Sequence, residues 1–78
     1  MDENSRQILS KIYQAARRTN DGFVISVDIG VRGEERERIC QNLTNYGYIT
    51  KLQYLGKDKI QCQITEETEN YFMKESKL

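Results

Sequence analysis

The sequence predicts an α+β fold, three to four helices beside a small three-stranded antiparallel sheet, and three observations predict it. Apolar residues recur at helical spacing in two separate stretches, Ile8, Leu9, Ile12, Tyr13 and Ala16, then Ile39, Cys40, Leu43 and Tyr46. Between them stands a β-branched and aromatic run, Phe23-Val24-Ile25-Ser26-Val27. Beyond the second stretch, Ile60, Cys62 and Ile64 alternate with Gln61 and Gln63 after a turn-forming segment at Leu55–Lys59, the pattern of a hairpin with one wet and one buried face.

Taken in order, Asn4 is a suitable N-cap with Gln7 three positions on, which predicts a first helix over residues 5–18. Thr19-Asn20-Asp21-Gly22 is a cluster of turn formers, and Phe23–Val27 follows as a short strand. Asp28-Ile29-Gly30-Val31-Arg32-Gly33 holds two glycines in six residues, so it is a tight turn or a stunted helix that aims the next element. From Glu34 to Tyr46 the chain is helical again. Glutamates crowd its first turn, where the helix dipole favours them, and Gly47 is the stop. Tyr48, Ile49, Leu52 and Tyr54 lead into the hairpin turn, and Ile60, Cys62 and Ile64 return. Thr65 caps a last helix whose first turn, Glu66-Glu67-Thr68-Glu69, is acidic and whose packing side is Tyr71 and Phe72. No repeat, linker or low-complexity segment interrupts this plan, so residues 1–78 form a single domain.

That element order is the winged helix-turn-helix arrangement. Two helices cross and bury one face each, the hairpin covers the third side, and the Phe23–Val27 strand joins it because a lone hairpin is marginal in water. A chain of 78 residues buries only roughly 60% of its unfolded surface, which leaves little to line a deep substrate cleft. Histidine is absent, so the commonest general base and the Ser-His-Asp type of triad are missing too. Cys40 and Cys62 lack a second pair to complete a metal site and read as free, buried thiols in a reducing compartment. No enzyme, cofactor or metal is expected. The acidic start and the lack of an 18-residue apolar run predict a cytoplasmic protein with no membrane partner.

Twelve basic groups balance twelve acidic ones, but unevenly along the chain. The basic excess lies in residues 1–20 and 51–60, and the acidic excess in 21–31 and 61–78. A pI near 6.2 argues against strong nonspecific DNA binding, so any DNA contact uses a local patch.

Certain residues also resemble a known family. Asp28-Ile29-Gly30-Val31, Gly47-Tyr48-Ile49, Tyr54, Ile64-Thr65-Glu66 and Glu69-Asn70-Tyr71-Phe72 resemble the small, phage-associated YjcQ-type winged-helix proteins over roughly residues 8–73. More loosely, they look like the wing region of MarR-type and PadR-type regulators. Thr68-Glu69 departs from that pattern, which often has a glycine there. The resemblance implies fold more firmly than activity, since the matched positions are core and turn residues.

Within such a fold the second helix would enter the major groove and the wing would touch the backbone. The outward helix positions are then Glu35, which with Glu34 and Glu37 would repel phosphate, and Arg38, Gln41, Asn42 and Asn45, with Arg32 and Arg36 near the start. These side-chain types pair bidentately with guanine and adenine edges, although any surface helix has a polar face. Lys57 and Lys59 flank the wing turn and Lys51 sits at its base, placed either for phosphates or to deter edge-to-edge aggregation. Lys11, Arg17 and Arg18 would add a backbone clamp, and four of the five tyrosines read as core. Two functions follow. One is a DNA-binding transcriptional regulator of bacterial or phage origin, a homodimer on double-stranded DNA. The other is a protein-interaction module using an apolar patch at Tyr71, Phe72 and Met73.

Overall fold

The computed structural model describes residues 1–76, in the order α1 (Glu3–Ala16), β1 (Phe23–Asp28), α2 (Gly33–Asn45), β2 (Ile49–Tyr54), β3 (Lys59–Ile64) and α3 (Glu66–Ser76). The expected α+β class holds, with three helices among the described residues and one antiparallel sheet in the order β1-β3-β2. The first strand pairs with the returning arm of the hairpin, as the short Phe23–Val27 run requires if the sheet is to be stable. The core lies between the inner face of the sheet and the helices. Leu9, Ile12, Ile29, Ile39, Leu43, Ile49 and Ile60 are its largest buried apolar side chains.

Several boundaries shift for identifiable reasons. Asp2, not Asn4, caps α1: its extended backbone lets Oδ1 accept the Ser5 amide at 2.8 Å, and Ser5 is buried just inside. That bond also holds the Asp2 carboxyl below its ordinary pKa. Gln7 reaches Glu3 rather than back to a cap. At its far end α1 stops at Ala16, two residues early, because the chain tightens into i→i+3 bonds from Arg18 to Ala15 and from Thr19 to Ala16. Arg17 and Arg18 therefore stand on a turn beyond the helix. The Asp28–Arg32 connector takes the turn option, with no helix, and Asp28 Oδ1 accepts the Gly30 amide.

At the end of α2 the Gly47 amide bonds the Thr44 carbonyl and the Tyr48 amide bonds that of Leu43, with Gly47 at φ +82°. This is a Schellman stop at the expected glycine. It overturns the inward placing of Tyr46, which becomes the cap residue and is 58% exposed, while Tyr48 beyond the turn packs on the core. Thr65 stands at the cap position of α3 as expected, its carbonyl accepting the Glu69 amide at 3.3 Å, but its hydroxyl donates to the carbonyls of Gly47 and Tyr48, and the buried Thr68 hydroxyl donates to Tyr48 as well. Thr68 thus ties α3 to the end of α2.

Both outer strands carry a bulge against the central one. In β1, Val24 faces Cys62 and Val27 faces Ile60, so Ile25 and Ser26 share the place opposite Gln61. In β2, Thr50 faces Gln63 and Gln53 faces Gln61, so Lys51 and Leu52 share the place opposite Cys62. Cys62 points into the core, and only one residue can fill the facing slot. Leu52 packs there, and Lys51 adopts a left-handed φ of +55° and stays exposed.

Candidate nucleic-acid interface

Helix α2 buries Ile39, Cys40 and Leu43, which leaves Glu34, Arg38, Gln41 and Asn45 on the opposite face, with Glu35 and Asn42 on one flank. Arg38, Gln41 and Asn45 are exposed and Asn42 is half-buried. Arg38 leans toward Glu35, with Nη2 3.8 Å from Oε1 and both side chains half exposed, so this pair adds little stability. Arg32 is the N-cap residue of α2, exposed and without a side-chain capping bond. Glu34 and Glu35 stand in the first turn and Glu37 just after it, so the leading end of the helix is acidic.

Arg36 is not available to bases, contrary to the expectation from its position near the helix start. Its Nη1 donates to the carbonyls of Leu55 at 2.9 Å, Gly56, and Lys59 at 3.2 Å, while the guanidinium lies 4.9 Å above the Tyr54 ring. The side chain is spent on joining α2 to the β2–β3 turn. The signal was in the spacing: 36, 39, 40 and 43 form one continuous helical stripe, so position 36 faces the protein. Two buried polar atoms beside this contact, Arg36 Nε and the Tyr54 hydroxyl, have no hydrogen-bond partner of good geometry. Burial raises the pKa of that hydroxyl, with Cys40 and Glu37 adding to the rise and Gln41 and Arg36 opposing it.

The turn itself presents Lys57 and Lys59 to solvent, as expected. Lys59 faces Asp28 across the β1–β3 ladder, so one of the turn's charges has an opposite charge as neighbour, and Lys57 at the tip has none across the sheet. Lys51 is exposed at the β2 bulge. On α1, Lys11 extends beside Gly30, and Arg17 lies 5.8 Å over the Tyr13 ring.

Four of the five tyrosines, Tyr13, Tyr48, Tyr54 and Tyr71, are partly buried against the core. Three of these and Phe72 form a chain of ring contacts: Tyr48 to Tyr71 at 5.8 Å, Tyr71 to Phe72 at 5.1 Å, and Phe72 to Tyr13 at 4.6 Å. Tyr46 adds an outer link at 6.2 Å from Tyr48. Phe72 is buried and Met73 is 53% exposed, so the Tyr71-Phe72-Met73 patch is only partly open. Cys40 and Cys62 are free and buried, as expected; burial pushes their thiols up to about 11 and about 12. Among the described residues no helix is long and apolar enough to cross a membrane. The chain matches no family model, and no curated protein or solved structure is significantly similar to it.

Proposed function

We propose that this chain is a winged-helix protein that binds duplex DNA, with α2 in the major groove and the β2–β3 turn on the adjoining phosphates. The observation that carries the reading is the Arg36 clamp. A groove reader gains from a wing held at a fixed offset from its recognition helix, because ordering the two on binding would cost affinity. Three carbonyls of the turn on one guanidinium supply that fixity. On the helix, Arg38, Gln41 and Asn45 share an exposed face of side chains suited to base edges, and Lys57 and Lys59 are exposed on the wing. The resemblance to YjcQ-type proteins points the same way. Two features depart from the usual pattern: a bare turn stands where a helix normally precedes the recognition helix, and Glu34, Glu35 and Glu37 make the leading end acidic.

The test is affinity for several duplexes over a salt series. Wild type should bind some sequence more tightly than about 100 μM, the upper edge of nonspecific affinity at physiological salt. Lys57→Ala with Lys59→Ala should weaken all duplexes alike and flatten the salt slope by about two units. Gln41→Ala should change sequence preference instead. Wild type without binding at that level refutes the reading. A second reading, a protein-interaction module, has its own support in the acidic leading end of α2 and in the exposed Tyr46 and Met73. It would lead if DNA binding fails.

A further inference from the structure

The sheet has two free edges, and they are built differently. The β2 edge is guarded by Lys51, a charged residue in a left-handed kink, a combination that discourages another strand from pairing. The β1 edge carries its one charge, Asp28, only at its far end: Phe23-Val24-Ile25-Ser26-Val27 is uncharged, and its only irregularity is the bulge at Ile25 and Ser26. Among the described residues no backbone hydrogen bond outside the sheet ladder involves residues 24–28. Ile25, at 73%, is the most exposed large apolar side chain among the described residues. Beside the strand runs an open groove of about 370 Å³, walled by Ala15, Arg18 and Thr19 at the end of α1.

We infer that this edge pairs with the β1 strand of a second copy of the chain, antiparallel about a two-fold axis, to give a continuous six-stranded sheet. Charge and symmetry select that occupant. Full overlap of the two strands sets Phe23 against Asp28 of the partner subunit, Val24 against the partner's Val27, and Ile25 against the partner's Ser26. Asp28 is the strand's one charged residue and stands at its far end, whereas Arg18 borders the groove near its start. Antiparallel pairing therefore brings each Arg18 to the partner's Asp28, twice, and removes both copies of Ile25 from water. An arbitrary peptide strand would match the backbone but not this charge pair. The inference does not depend on DNA binding.

Sedimentation equilibrium on the full chain, from about 10 μM to about 1 mM, tests it. The mass should rise toward twice 9.2 kDa. Ile25→Lys should leave the circular dichroism unchanged and raise the dissociation constant at least about tenfold. Arg18→Glu and Asp28→Lys should each associate poorly alone, yet recover when mixed in equal amounts, since the mixed pair matches opposite charges at both ends. Should Asp28→Lys unfold the connector that Asp28 caps, the Ile25→Lys result decides alone. A monomer at every concentration overturns the inference and leaves the edge for a strand of another protein. A dimer indifferent to Ile25→Lys, or folded charge variants that do not recover on mixing, overturns it equally.

Discussion

Replacing Arg36 by alanine removes the bonds that hold the β2–β3 turn against α2, and the cost can be worked from their geometry. Nη1 carries two hydrogens and serves three carbonyls, so the contact counts as two charge-assisted bonds, together worth about 3 kcal/mol at the low end of their range. The guanidinium over Tyr54 adds about 0.5–1 kcal/mol. Against this, the variant loses the buried Nε–H that has no partner, which returns about 1–2 kcal/mol. The net is a destabilisation of about 2 kcal/mol. Urea unfolding followed by far-ultraviolet circular dichroism should show it as a midpoint lower by about 2 M, given a slope near 1 kcal/mol/M for so small a protein. Arg36→Lys should not rescue, because a point charge on a flexible stem cannot span three carbonyls while stacking on a ring. A midpoint within about 0.3 M of wild type would show that the clamp contributes nothing to stability, and full rescue by lysine that the charge, not the fork spanning the carbonyls, is what matters.

Leu43→Ala should cost about 2–5 kcal/mol, since Leu43 is fully buried in a core with few members; a melting temperature near that of wild type would contradict its place there. Stability should also fall in alkali. The buried thiols of Cys40 and Cys62 keep their protons to about 11 and about 12, whereas in the unfolded chain they ionise near 9, so above pH 9 the folded state holds more protons than the unfolded one. Stability is thus fully present below pH 9 and should drop by about 3 kcal/mol at pH 10, checked by urea melts at pH 7, 9 and 10, with a smaller drop in Cys62→Ala. Lys51→Gly should stabilise by up to about 1 kcal/mol, because glycine takes a positive φ without strain, and Lys51→Val should do the reverse in the same urea melts.

The elements with a clear period were legible in the sequence. The stripes of α1 and α2, the alternation of β3 and the Gly47 stop all fell where their spacing put them. What went unread were features in which two local rules compete. Asp2 and Asn4 are both good caps, and burial of Ser5 decides between them. Tyr46 keeps the period of the α2 stripe, but the helix ends one residue before it. Arg36 sits on the inward stripe despite its charge, because long cationic side chains can pack their stems and still reach polar partners. Lys57 and Lys59 were easier, since a hairpin turn leaves its side chains nowhere to go but solvent.

The paired bulges carry a consequence for how the chain could be shortened. Each outer strand spends two residues where a regular ladder needs one, and in β2 the surplus residue is Lys51, whose neighbour Leu52 alone fills the slot facing Cys62. Deleting Lys51 would leave Ile49, Leu52 and Tyr54 directed at the core, with Gln53 still on the outer face, so every side chain keeps its side. Deleting Thr50 would do the same, with Lys51 taking the outward place opposite Gln63, whereas deleting Gln53 would put Tyr54 out of phase with the core. Single-residue deletions along β2 should therefore differ in outcome, with Thr50 or Lys51 dispensable and Gln53 not. The extra residue serves curvature rather than composition: it bends the sheet without adding to what the sheet encloses.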